Sequence, residues 1–284
     1  MRRIVGVTGL AWLLVGVTLA HGQAGARGTG HLVIIGGGTI PDDVRARTLE
    51  LGGGPKAIVA IFPQASELPE TGPETVAIWK KAGAAEAISL DAKDPTACIA
   101  AVKRATLIWF PGGDQTKLTA ALEPSGIAEA IRQRYREGET VAGTSAGAAV
   151  MTKVMITGNE MDMQAITAGK TDTAPGFGLW PRAIVDQHFL KRQRSNRLIS
   201  AVLDHPELVG VGIDESTAVV VTGSEIEVIG KSSVVVFDAR KASVTPTPAG
   251  QPITGRNLTM HVLKAGMKLD LGPSTRSARS GQGK

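Results

Sequence analysis

The chain has 284 residues, 43% hydrophobic and 20% charged, proportions of a folded protein long enough to build a core without disulfide or metal staples. Its net charge is +5. Two of those charges, Arg2 and Arg3, stand at the extreme N-terminus, and the remaining excess of about three is too small to point to nucleic acid. A single cysteine, Cys98, excludes an intrachain disulfide, a four-cysteine zinc site and a thioredoxin-like pair.

Arg2-Arg3 is followed by the apolar run Ile4–Ala20 and then by a small, polar stretch ending Ala24-Gly25-Ala26. That order of positive, apolar and small-residue regions reads as a signal peptide over residues 1–26, which sends the product to a periplasm or outside the cell. The run could also anchor an uncleaved helix, but Gly6, Gly9, Gly16 and the small residues after it favour cleavage. In an oxidising compartment Cys98 has no partner. It is expected to pack as a small buried apolar residue.

From residue 27 the pattern alternates. His31–Gly36, Ala57–Phe62, Ala87–Leu90, Thr106–Phe110 and Thr140–Ala142 read as short buried strands. Between them Asp42–Leu51, Glu74–Ala82, Ala97–Arg104, Asp114–Leu122 and Gly126–Arg136 read as helices. This alternation predicts an α/β fold, a parallel sheet flanked by helices. A long polar loop is expected from Gly158 to Gly178. Beyond it, Leu208–Ile213, Thr217–Val221, Glu225–Ile229 and Ser233–Phe237 are spaced like consecutive hairpin strands, an antiparallel C-terminal addition. Residues 27–272 are expected to form one domain. The Ser-, Gly- and Arg-rich tail, 273–284, is expected to be disordered.

The chemistry centres on Gly143-Thr-Ser145-Ala-Gly147, which follows the fifth strand and precedes a helix-compatible stretch. A serine at the tip of a sharp strand-turn-helix needs flanking residues without side chains, because the two arms nearly touch. The turn exposes Oγ as a nucleophile and aims the N–H of Ala146 at an oxyanion. A nucleophilic serine needs a base and an orienting acid. His31 sits at the wrong end of its strand and His205 in a helix-ending turn. His188 lies in Asp186-Gln-His-Phe189, at the end of an apolar run. Gly212-Ile-Asp-Glu215 supplies two carboxylates, Asp214 and Glu215, between apolar strands. After the fourth strand, Phe110-Pro-Gly-Gly-Asp114-Gln115 lets backbone approach a substrate closely. An N–H from its Gly113 would complete the oxyanion hole, and Asp114 is a plausible N-cap. The basic run Lys191–Arg197 follows His188 directly, so Arg194 and Arg197 become candidate partners for a substrate carboxylate.

These four segments, in this order over residues 31 to 240, resemble the motifs of the cyanophycinase family, peptidase family S51, whose serine exopeptidases include the aspartyl dipeptidases. The resemblance implies a nucleophile at Ser145, a base at His188 and the orienting acid at Glu215. It also implies a flavodoxin-like fold similar to class I glutamine amidotransferases, commonly as a homodimer, without cofactor or metal. It implies a substrate, cyanophycin or a related β-linked aspartyl peptide, from which β-Asp-Arg dipeptides are cut. Asp114, Gln115, Asp186, Arg194 and Arg197 fall at or beside positions that hold substrate there. The basic segment departs from the usual Gln-Arg-Gly-Arg form: Lys191 and Gln193 replace its glutamine and glycine.

Competing readings make different demands. A related isoaspartyl or acidic dipeptidase would share the chemistry. An esterase or lipase of the α/β-hydrolase type would run Ser, acid, His, and so would need His261 as base. An exported binding protein would keep the pocket without the catalysis. A dinucleotide site at Gly36-Gly-Gly38 lacks the required glycine spacing, since Pro41 interrupts it.

Overall fold

The computed structural model describes residues 29–158 and 164–272; the stretch read as a signal peptide, 1–26, and the tail expected to be disordered, 273–284, lie outside the described residues. The first half runs β1 (Leu32–Ile35), α1 (Asp42–Leu51), β2 (Ile58–Ile61), α2 (Thr71–Lys81), β3 (Glu86–Ser89), α3 (Pro95–Arg104) and β4 (Leu107–Phe110). It continues through α4 (Gln115–Leu122), α5 (Ile127–Arg136), β5 (Thr140–Thr144) and the single turn α6 (Ala146–Ala149). β1, β5, β4, β2 and β3 lie side by side in that order, all parallel.

The sheet is hydrophobic on both faces because helices cover both. Successive residues of a strand point to opposite faces. Leu32 and Ile34, with Ile108 and Phe110, pack against Cys98 and Val102 of α3, Leu118 of α4 and Ile131 of α5. Val33 and Ile35, with Leu107 and Trp109, pack against Val44 of α1 and Trp79 of α2. Cys98 is buried as expected, and burial together with the Asp94 and Asp91 carboxylates raises its thiol pKa. Asp94 caps α3 through the Ala97 N–H.

The second half differs from the expected run of hairpins. β6 (Val154–Ile156) pairs with β7 (Thr173–Pro175), a short strand inside the stretch expected to be loop. β8 (Ala183–Gln187), α7 (Ser195–Asp204) and β9 (Val209–Ile213) follow. Of the expected consecutive hairpins, only β10 (Thr217–Thr222) and β11 (Glu225–Gly230) pair with each other as neighbours in the chain. β10 lies antiparallel beside β1 and extends the large sheet. β9 instead pairs parallel with β8 and antiparallel with β12 (Ser233–Asp238), in a second sheet. β13 (Ser243–Thr245) and β14 (Thr254–Arg256) pair with each other. β15 (Thr259–Lys264) completes the second sheet, and β16 (Lys268–Asp270) the first. The helix α7 seals the second sheet, with Leu198 and Val202 against Ile184, Val235 and Phe237. The chain thus changes sheets between β9 and β10, at Asp214-Glu215-Ser216, beside the carboxyl ends of β1 and β5.

Candidate active site

Ser145 stands at φ 53, ψ −114, between β5 and α6. That conformation is costly for a residue with a β-carbon. Its surroundings enforce it: the Ser145 N–H donates to the Ile35 carbonyl at 3.0 Å, and its carbonyl accepts from Ala148 and Ala149. A β-carbon on Gly143 would collide with the Gly147 carbonyl, and one on Gly147 with the Phe110 carbonyl. The two glycines let the arms of the turn pass.

The Ser145 hydroxyl meets His188 Nε2 at 2.9 Å, and His188 Nδ1 meets Glu215 Oε1 at 2.6 Å. Residues 43 and 27 positions apart are thereby joined in one line, from the end of β5, past the end of β8, to the corner between β9 and β10. His188 also sits at positive φ, 50, and its N–H donates to the Gly36 carbonyl at 2.7 Å. The glycines after β1 form the bed of this pair. A β-carbon at Gly37 would run into the imidazole, and one at Gly38 would lie 3.0 Å from Glu215 Cβ.

Asp214 faces elsewhere. It accepts from the Lys191 N–H at 2.9 Å and from the Ser232 hydroxyl at 2.7 Å, tying the segment after His188 to the corner that carries Glu215. Burial alone would raise its pKa. The hydrogen bonds from Ser232 and from backbone N–H groups outweigh that and leave it lowered. For His188 burial is the largest influence and pushes the imidazole below its ordinary value. The Glu215 hydrogen bond opposes this, while the charges of Arg192 and Arg194 reinforce it.

Ser145 opens on a cavity of about 440 Å3, whose walls include Gly113, Asp114, Gln115, Thr157, Gly158, Gln187, Arg192 and Arg194. Asp114 caps α4, accepting from the Thr116 hydroxyl and the Thr116 N–H. Its own N–H donates to Ala65, which steadies the Gly112-Gly113 turn beside the nucleophile. Gln115 is buried and donates to the Ile156 and Thr157 carbonyls, so it fixes the far wall. Ala146 is the first residue of its helical turn, and its N–H has no intrahelical acceptor.

Two residues expected to touch substrate lie elsewhere. Asp186 and Arg197 are 1% and 3% exposed and form a two-pronged pair, Arg197 Nε to Asp186 Oδ2 at 2.8 Å and Nη2 to Oδ1 at 2.5 Å. Neither lines the cavity. Arg197 sits in the first turn of α7, facing the sheet, and Asp186 on β8 is the carboxylate it meets there. Arg194 does line the cavity, held by two hydrogen bonds to Gln187. Gln187 and Arg192 line it too and were not singled out from the sequence. Arg192 is exposed, whereas Arg194 also lies 3.6 Å from the Asp186 carboxylate. The signal for Gln187 and Arg192 was adjacency to His188. His261, the base an esterase reading requires, lies on β15 opposite Val236, in the second sheet.

Comparisons with known proteins agree on the family. The sequence model of peptidase family S51 matches residues 32–229. The chain is 40% identical over 230 residues to a cyanophycinase of Trichormus variabilis, covering 77% of each protein. It is 40% identical over 235 residues to a cyanophycinase of Geminocystis herdmanii, covering 79% of this chain and 86% of that one. The crystal structure of a peptidase from an acI-B1 actinobacterium superposes with a TM-score of 0.60 at 22% identity, over 86% of this chain and 98% of that one, which shows the shared fold. A flavodoxin-like α/β sheet, a serine on a strained turn and matches of this length place the chain in peptidase family S51, as a serine peptidase.

Proposed function

We propose that this protein is an exported exopeptidase that hydrolyses cyanophycin, the arginine-bearing poly-aspartate, to β-Asp-Arg dipeptides through an acyl-enzyme on Ser145. The observation that carries the reading is the Ser145–His188–Glu215 line of hydrogen bonds, 2.9 and 2.6 Å, opening on a cavity that holds both arginines and a carboxylate. Relatives 40% identical are cyanophycinases, which supports the substrate. His188 Nε2 takes the hydroxyl proton as Ser145 Oγ attacks the scissile carbonyl. Glu215 holds the Nδ1–H tautomer and balances the imidazolium. The N–H groups of Gly113 and Ala146 receive the oxyanion. His188 then returns the proton to the leaving amine, and water releases the dipeptide by the same steps in reverse order.

The substrate carries both signs of charge, and so does the cavity. Arg192 and Arg194 meet carboxylates, and Asp114 offers the opposite sign to a guanidinium. Export through residues 1–26 brings the enzyme to polymer outside the cytoplasm, and it works there as a homodimer. Mature protein incubated with insoluble cyanophycin should release soluble β-Asp-Arg, identified by mass. Intact polymer beside rapid cleavage of isoaspartyl or acidic dipeptides would transfer the assignment to that activity.

A further inference from the structure

A second cavity, of about 240 Å3, shares no lining residue with the polar one. It opens between α1 and α2, at the carboxyl ends of β1, β4 and β5, where Ile35, Trp109 and Thr144 form part of its wall. Ligands in open α/β sheets bind at such strand ends. Its polar residues have mostly spent their capacity. The Thr48 hydroxyl donates to the Val44 carbonyl at 2.7 Å and the Thr75 hydroxyl to Thr71 at 2.6 Å, each within its own helix. The Arg45 guanidinium donates to Asp42 at 2.7 Å and to the Ile40 carbonyl at 3.1 Å. Two groups remain. Trp79 Nε1 and Thr144 Oγ1 are buried and have no hydrogen-bond partner among the described residues. Buried groups of this kind are rare, and each costs the fold a desolvation penalty.

We propose that this cavity is a second ligand site, for a compact uncharged aromatic molecule bearing a hydroxyl or carbonyl oxygen. The edge-to-face pair of Trp79 and Trp109, centroids 4.9 Å apart, supplies an aromatic wall. The indole N–H can only donate and the threonine hydroxyl can do either, so an accepting oxygen satisfies both once the side chains adjust to it. The walls hold no unmatched charge, since Arg45 is already paired with Asp42, so an ionic ligand would lose hydration without gaining a partner. The charged dipeptide of the polar cavity is therefore a poor fit. An occupant would touch Pro111 and Thr144, the residues before the Gly112-Gly113 turn and before Ser145.

The test is a titration of 4-fluorobenzyl alcohol into the folded protein, read by 19F line broadening. Wild type should broaden the signal saturably. Ile78→Trp adds bulk at the rim, where Ile78 is 46% exposed, and should weaken binding at least about tenfold by filling the mouth. Thr144→Val keeps the shape and removes one unpartnered hydroxyl; it should weaken binding about threefold to tenfold while raising the melting temperature. Saturating β-Asp-Arg dipeptide should leave the broadening unchanged. Absence of saturable binding, wild-type affinity in both variants, or displacement by the dipeptide would each overturn the proposal; the last would make this cavity part of the substrate site.

Discussion

Gly37 and His188 occupy one space: a β-carbon on the glycine would overlap the imidazole that receives the Ser145 hydroxyl. The glycine run after β1 therefore serves the base, although it lies about 150 residues away in sequence and looks at first like a turn for a phosphate. Gly37→Ala should displace the ring. Because misplacement of about 1 Å in a catalytic group costs on the order of 100-fold, kcat should fall by that order while KM moves little. The substitution also places alanine at φ 105, so melting temperature should fall by a few degrees. Wild-type turnover in Gly37→Ala would detach this contact from catalysis.

Ser145→Ala should abolish acyl-enzyme formation, with turnover falling by about 10^4- to 10^6-fold, and should leave the fold intact. Mass analysis after quenching a reaction with a slow ester substrate should find the acyl adduct on wild type alone. Adduct on the variant would move the nucleophile elsewhere.

The pH profile follows from the direction of the His188 shift. Only the neutral imidazole accepts the serine proton, so activity disappears as His188 protonates. Burial lowers its pKa, so the neutral form persists into more acid solution. The acid limb of kcat/KM should then lie below the ordinary imidazole value of about 6.5. Arg192→Gln removes a charge that lowers the pKa and should move the limb up. Glu215→Gln removes the hydrogen bond that raises it and should move the limb down, at a much greater loss of rate than Asp214→Asn. A limb unmoved in Arg192→Gln would show that this charge does not reach the base.

The Asp186–Arg197 pair separates support from substrate contact. Breaking a buried ion pair by removing one member costs about 3–5 kcal/mol, less whatever Arg194, 3.6 Å from Asp186, retains with that carboxylate. Arg197→Met and Asp186→Asn should both lower the urea midpoint sharply, and the double variant should recover part of the loss. Arg192→Met, by contrast, should leave the midpoint near wild type and raise KM. Equal midpoints with a raised KM in Arg197→Met would return Arg197 to the substrate.

Gln193 lies at φ 51 in the exposed segment after His188, where the family pattern carries glycine. Gln193→Gly trades the strain of a left-handed residue against the extra freedom of glycine in the unfolded chain, and should stabilise by about 0.5–1 kcal/mol. Thermal unfolding measures it directly; a lower melting temperature would mean that the glutamine side chain holds the turn.

Local pattern was enough for much of this molecule. Short β-rich runs ending in glycine or proline, alternating with helical runs, two of them capped by Asp94 and Asp114, specify the parallel sheet, because each of those signals lies within about ten residues of chain. The serine turn was legible for the same reason: its two glycines and its strand are neighbours in sequence. Four strands at hairpin spacing, however, became one hairpin and two strands of another sheet. Nothing local to Asp214-Glu215-Ser216 says that β10 will find an edge beside β1 while β9 finds β8. That choice belongs to the apolar faces awaiting cover on distant segments. It also decided the site. Which carboxylate meets His188 depends on the direction each side chain takes at that corner, and which arginine faces the cavity depends on where α7 begins. Arg197 falls on the inner side of the helix and is buried against Asp186, while Arg192 precedes the helix and stays in the open. Residue type named the chemistry, but burial assigned the roles, because burial is set by contacts between segments far apart in the chain.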